Sequence, residues 1–137
     1  IIIASICING CAACLKINGF HFRKLGKREQ GKEIPYEICT EKNMPERLLK
    51  IIEMRKKTPG TFAYKNSTYT YLVVCYGEKE YSGYSIQVQE CWKDKEQIYL
   101  KTQLIGPAGN EEVVEAMTFP FLVVRCERTE LLCRIES

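Results

Sequence analysis

Histidine is almost absent from this chain: His21 is the only one among 137 residues. A structural zinc site draws about four Cys or His ligands in paired spacings. Here Cys11-x-x-Cys14 is the one close pair, and no second pair follows it. A Cys–His nucleophile pair would require His21 itself to fold back onto a distant cysteine. Glycine-rich phosphate loops are missing as well. The stretch Gly106-Pro107-Ala108-Gly109 contains a proline, which removes one anion-binding N–H. No apolar run reaches the ~20 residues that a membrane-spanning helix needs, and no internal repeat is visible. These gaps leave no residue assigned as catalytic, cofactor-binding or metal-ligating.

Charge of one sign is also scarce where it would matter. The net +3 comes from the N-terminal segment. Residues 1–30 carry five basic residues (Lys16, Arg23, Lys24, Lys27, Arg28) against Glu29, a net of +4. Residues 31–137 carry fifteen basic and sixteen acidic residues, a net of −1. A nucleic-acid binder concentrates basic charge on its folded face, so that class is disfavoured. The neighbouring carboxylates Glu111 and Glu112 read as a solvated face.

What is present fits one domain with its own core. Hydrophobic residues make up 45% of the chain and tyrosine is enriched, with eight copies. Residues 1–15 (IIIASICINGCAACL) are apolar and uncharged, in the manner of the apolar core of a secretory signal peptide. Without an initiator Met or a basic flank, that leader is expected to start further upstream. Ile8-Asn9-Gly10-Cys11 has the order of a lipoprotein processing site, which makes Cys11 the expected lipidation residue. Ala12-Ala13-Cys14 competes with it, and a plain apolar segment or membrane helix is the bland alternative. The spacing C-x3-C-x2-C at Cys7, Cys11 and Cys14 also occurs in iron–sulfur radical enzymes. Those need a large barrel that this length does not supply, so no cofactor is expected. Residues 16–33 are basic and glycine-containing and read as a tether, with weak attraction to anionic lipid as an addition.

Five further cysteines (Cys39, Cys75, Cys91, Cys126, Cys133) are scattered through the rest. An odd number cannot all pair within one domain. Four lie in strand-like runs, where Cys serves as a small buried hydrophobe. Free thiols are therefore favoured over a disulfide framework, although export to an oxidising space argues the other way.

The domain itself spans 34–137. Ile34–Cys39 alternates like an edge strand, where Pro35 is tolerated. Asn43 with Glu46 resembles a capping box, and Pro45 suits a first helical turn. Leu48, Ile51 and Ile52 share one helical face, Arg55–Lys57 suit a C-terminal end, and Thr58-Pro59-Gly60 stops the helix. From Tyr69 the period becomes two. Tyr69–Tyr76 and Phe119–Cys126 read as central strands. Tyr84, Ile86 and Val88, then Ile98, Leu100 and Leu104, read as half-buried ones. Lys93–Glu96 and Arg128–Glu130 are turns, and Leu131–Ile135 closes the chain. Gly106–Thr118 stays open between a short helix and an irregular strand.

Two segments stand out. Glu78–Ser85 is rich in Tyr, Ser and Gly, a composition found in binding loops; its bland reading is a hairpin in which Gly83 supplies a positive φ. Phe119-Pro120-Phe121 places aromatics around a rigid proline. The two segments are expected to adjoin. Tyr81, Ser82, Gly83, Tyr84, Phe119, Pro120 and Phe121 are thus candidate partner-binding residues, with a purely structural role in the core as the equal alternative.

The region from Ile34 onward resembles the PrcB family of bacterial protease-complex subunits, in particular its C-terminal domain. The likeness is carried by Pro45–Glu53 (PERLLKIIE), Tyr71–Val74 leading into Tyr76-Gly77-Glu78, Ser82–Val88 (SGYSIQV), Leu104–Pro107 (LIGP) and Phe119–Val124 (FPFLVV). The family's Thr-Gly-Gly-Tyr loop is Tyr81-Ser82-Gly83-Tyr84 here, and its Tyr-Pro-Tyr is Phe119-Pro120-Phe121. The loop is also similar to the Thr-Gly-Tyr loops of immunoglobulin-like cysteine-protease inhibitors. The resemblance implies a non-catalytic exported β domain, linked to the assembly or stability of a surface protease.

The expected fold is mainly β: a small sandwich or half-open barrel with one N-terminal helix packed on it. The expected function is an accessory protein that stabilises or regulates a protease complex, located in the cell envelope or outside it. Its expected partner is a protein, with a secreted or surface protease as the candidate, the membrane reached through the N-terminal leader or lipid, and no nucleic acid. The rivals are an immunoglobulin-like protease inhibitor, a structural envelope lipoprotein, and a small cysteine-dependent enzyme.

Overall fold

The computed structural model describes residues 31–137, together with the strand backbones at 3–5 and 14–16. In chain order the elements are β1 (Ile3–Ser5), β2 (Cys14–Lys16), β3 (Lys32–Glu33), β4 (Glu37–Ile38), a 3-10 turn (Glu41–Asn43), α1 (Glu46–Arg55), β5 (Gly60–Lys65), β6 (Tyr69–Cys75), β7 (Lys79–Tyr81), β8 (Ser85–Lys93), β9 (Gln97–Ile105), β10 (Glu115–Thr118), β11 (Phe121–Glu127) and β12 (Leu132–Glu136). The expected lipidation residue Cys11, His21 and most of the expected tether lie outside the described residues. No helix among the described residues is long and apolar enough to cross a membrane.

The fold is mainly β and is organised around a four-stranded sheet in the order β4-β11-β6-β5. Its central pair, β6 and β11, runs antiparallel in unbroken register from Tyr69↔Glu127 to Cys75↔Phe121. Both strands are apolar at nearly every position because both faces are covered. On one face Leu72, Val74, Leu122 and Val124 pack with Ile86, Val88, Ile98 and Leu100 of β8 and β9. On the other, Tyr71, Val73, Cys75, Phe121 and Val123 pack with Met44, Leu48 and Ile52 from α1 and its approach. The alternation of a strand sorts one apolar run into these two cores. The result is three layers: helix, sheet, sheet.

The outer sheet is built on a long β8–β9 hairpin. Its turn is closed by Asp94, whose Oδ1 accepts from the N–H of Glu96 at 2.8 Å and of Gln97 at 2.9 Å, a side-chain-closed turn. Those two N–H donors hold the Asp94 carboxyl below its usual range. The last strand, β12, crosses over from the other sheet and lies parallel to β9, from Leu132↔Gln97 to Glu136↔Lys101. β3 and β1 each pair with β8, and β2 pairs with β1.

The helix begins later than the capping-box pattern suggests. Asn43 belongs to the preceding 3-10 turn, where its Oδ1 accepts from the Thr40 N–H at 2.8 Å. Pro45 stands at the N-cap of α1 without a side-chain cap. Proline disfavours helical backbone at the residue before it, and Met44 is extended (φ −101°, ψ 141°). At the far end Lys56 is 3% exposed. Its Nζ lies 3.0 Å from Glu53 Oε2 and 5.1 Å from the centre of the Phe119 ring. A buried ammonium held this way keeps both an ion-pair and a cation–π partner.

Candidate functional site

The two segments singled out in the sequence do come together. After β6 the chain turns at Gly77, whose φ of +78° is favourable only to glycine. It then forms β7, which pairs antiparallel with β10: Tyr81 lies opposite Glu115, and Lys79 opposite Thr118, with an irregularity between. The pairing continues past the strands. The Ser82 N–H donates to the Val114 carbonyl and the Val114 N–H to Ser82 Oγ, each at 2.9 Å. Thr118 Oγ1 donates to the Tyr81 carbonyl at 2.9 Å. The Tyr76 N–H donates to the Pro120 carbonyl, also at 2.9 Å. Gly106–Thr118 is therefore a loop ending in a strand, not a helix.

Gly83 has φ +91°. A Cβ there would stand 2.9 Å from Pro107 Cβ, far inside normal contact. The glycine thus lets the Tyr81–Tyr84 loop rest on the Gly106-Pro107 corner. Tyr84 reaches the same corner, with its Cε1 3.8 Å from where a Cβ on Gly106 would be.

The seven candidate residues separate by burial. Phe119 (2% exposed), Pro120 and Phe121 (0%) are buried. The first of these rings lies beneath Lys56 and the last in the helix-facing core. They present no surface to a partner, so for these three the structural role in the core holds and the partner-binding one is corrected. Ser82 and Tyr84 are half-buried, while Tyr81 and Gly83 are exposed.

Residues that the sequence did not single out take the place of the buried phenylalanines. Among the described residues six large hydrophobics are exposed: Met54, Tyr81, Val113, Val114, Met117 and Leu132. Four of these lie on the β7–β10 ribbon or its approach: Tyr81 (43%), Val113 (40%), Val114 (62%) and Met117 (55%). Clustering of this kind marks interaction surfaces, whereas single exposed hydrophobics need no explanation. The signal in the sequence was the pair Val113-Val114 within a polar stretch.

A second concavity, of about 880 Å³, lies at the opposite end of β11 and includes Tyr36, Tyr69, Arg125 and Arg128 in its wall. Both of its arginines are in ion pairs. Arg125 Nη2 lies 2.6 Å from Glu37 Oε2, with its guanidinium 4.1 Å from the Tyr69 ring centre, which ties β11 to β4. Arg128 Nη2 lies 2.7 Å from Glu130 Oε1 within one turn.

The model of the family described as PrcB C-terminal matches residues 70–127, which run from β6 through β11. The chain is similar to that family over this segment. Neither a curated protein nor a solved structure matches it. The matched segment holds the buried central strands, the β7–β10 ribbon and the Gly83–Pro107 contact.

The cysteines are placed as small hydrophobes. Cys39, Cys75, Cys91 and Cys126 are buried and unpaired, and Cys133 is half-buried. Burial pushes the thiol of Cys39 up to about 12, and those of Cys75 and Cys126 to about 11. Cys91 is raised further by the same cause. Cys133 is also raised by burial. Since the thiolate is the nucleophile and metal ligand, these environments suppress that chemistry. Among the described residues no three His, Cys, Asp or Glu side chains are placed to share a metal ion.

Proposed function

We propose that this chain is an exported, non-catalytic accessory subunit that binds a surface protease through the β7–β10 ribbon and stabilises or regulates its complex. The PrcB match supports a protease-complex partner. The observation that carries the binding role is the exposure of Tyr81, Val113, Val114 and Met117 on one hydrogen-bonded ribbon. Tyr and Met are favoured at interface cores. A ribbon fixed to the sheet by backbone bonds limits the ordering cost of association. The rival of a small cysteine-dependent enzyme is disfavoured, because every thiol among residues 31–137 sits in surroundings that hold it protonated.

Capture with the intact chain from its own cell envelope tests this reading, followed by protease assay of the eluate. Protease activity is expected with the native sequence and is expected to fall with Tyr81→Ala, at an unchanged melting temperature. An eluate without protease, or recovery of the native chain wholly from the cytoplasm, removes the proposal.

A further inference from the structure

The exposed apolar side chains of the ribbon are ringed by charge of one sign. Glu78 precedes β7 and Glu80 lies within it, while Glu111, Glu112 and Glu115 flank Val113 and Val114; all five are exposed. Lys79, half-buried, is the one basic residue in these two stretches. Elsewhere in the domain some glutamates are neutralised by a neighbour. Glu37, Glu53, Glu130 and Glu136 each pair with an arginine or lysine within 3.1 Å. Among the described residues, none of the five ribbon glutamates enters a salt bridge. The negative rim thus has no ion pair among these residues to compensate it.

We infer that the ribbon docks a basic, amphipathic segment of a protein partner, in which lysine or arginine alternates with large apolar side chains. The inference rests on the binding role proposed above and deepens it by naming the partner's chemistry. Apolar contact supplies the buried centre of such an interface, and the carboxylates supply steering and register at the rim. An anionic surface repels this patch, so acidic peptides, nucleic acid and anionic membrane are excluded as its occupant. The mount is stiff: Ser82 and Val114 exchange two hydrogen bonds, and Gly83 rests against Pro107. A partner therefore meets a preformed shape.

The test uses the full chain and three fluorescent dodecapeptides, with alternating Lys–Leu, Glu–Leu and Lys–Ser sequences, in anisotropy titrations. The Lys–Leu peptide is expected to bind at least about tenfold more tightly than either other peptide. Raising salt from about 50 to about 300 mM is expected to weaken it severalfold, since the rim charges are exposed. Met117→Ser and the pair Glu112→Lys with Glu115→Lys are each expected to weaken it about tenfold. The charge-reversed pair is expected to favour the Glu–Leu peptide instead. Met54→Ser, an exposed methionine on α1, is expected to change nothing. Thermal melts confirm that each variant is folded.

Equal binding of Lys–Leu and Lys–Ser overturns the inference, because charge alone then suffices. Equal binding of Lys–Leu and Glu–Leu overturns it from the other side. So does a self-association in sedimentation that Met117→Ser abolishes, which makes a second copy the occupant. If the peptide results hold while no protease is captured, the protease reading falls and this inference stands. If protease is captured but is indifferent to the ribbon variants, the inference falls together with the ribbon's part in the proposed function, and only the protease link stands.

Discussion

Val73, Val74, Val123 and Val124 are fully buried, whereas Val113 and Val114 are 40% and 62% exposed. The first four belong to the central strands β6 and β11, and the other two lead into the β7–β10 ribbon that those strands flank. The side-chain chemistry is identical. What differs is the cover: α1 shields one face of the central sheet and the β8–β9 hairpin the other, while the ribbon projects as a pair of strands. Two strands alone do not bury enough surface to be stable. The ribbon persists because Gly83, Pro107 and Pro120 tie it to the sheets. In this domain an apolar residue contributes to stability where two layers close over it, and stays open to solvent where they do not.

Breaking the buried side of that comparison should have the largest effect. Phe121→Ala empties a fully buried site between helix and sheet and is expected to cost about 3–5 kcal/mol in denaturant unfolding. A cost near that of a surface substitution would contradict the core placement. The junction comes next. Gly83→Ala must hold a side chain at φ +91° and against Pro107, an expected loss of roughly 1–2 kcal/mol. Gly109 has open space around it, so Gly109→Ala is the matched control and is expected to stay within about 0.5 kcal/mol.

The buried thiols sharpen the comparison through pH. Their folded pKa values lie above the ordinary thiol value of 9.0: about 12 for Cys39 and about 11 for Cys75 and Cys126. A raised folded pKa means the unfolded chain loses its proton first. The associated stability is complete below about pH 8.5 and drains away as pH rises toward the folded values, by at most about 1.4 kcal/mol per pH unit for each thiol. Melting temperatures between pH 8 and 10.5 should fall, less steeply in Cys39→Ala, and thiol labelling of the folded domain near pH 8 should be slow. An alkaline slope that is the same in Cys39→Ala as in the native chain would remove Cys39 from this account. The smallest stability effects are expected on the ribbon. Tyr81→Ala and Met117→Ser should shift unfolding by no more than about 0.5 kcal/mol, so that any loss of binding is a loss of contact.

The buried side was the readable one. Continuous apolar runs at Tyr69–Cys75 and Phe121–Cys126 announce strands covered on both faces, and Leu48 with Ile52 announces the helix that covers one of them. β5 was missed. Phe62 and Tyr64 alternate with Thr61 and Ala63, but they follow directly on the Thr58-Pro59-Gly60 helix stop and read as its tail. Asn43 reads as the cap of α1 because Glu46 stands three residues on, yet its side chain serves Thr40 in the preceding turn, and the backbone limit that Pro45 places on Met44 delays the helix. In the candidate site, the adjacency of the Tyr81 loop and Phe119–Phe121 was legible, but the fate of the rings was not. A phenylalanine beside proline looks the same whether it faces a core or a partner, and Lys56 closing over Phe119 depends on a helix far away in the chain. β10 was undecidable for a similar reason, since its extended state depends on pairing with β7.

The register of the central sheet also sets an order of events during synthesis. β6 leaves the ribosome with α1 and β5 already made, so its helix-facing side finds partners at once. Its other side, Leu72 and Val74, waits for β8 and β9, and its hydrogen-bonding edge waits for β11, which pairs Phe121 with Cys75 and Glu127 with Tyr69. Sheets closed by such distant strands form slowly, and the unpaired edge is sticky meanwhile. The interval between emergence of Cys75 and of Phe121 is therefore the period when a nascent chain depends most on a holding chaperone.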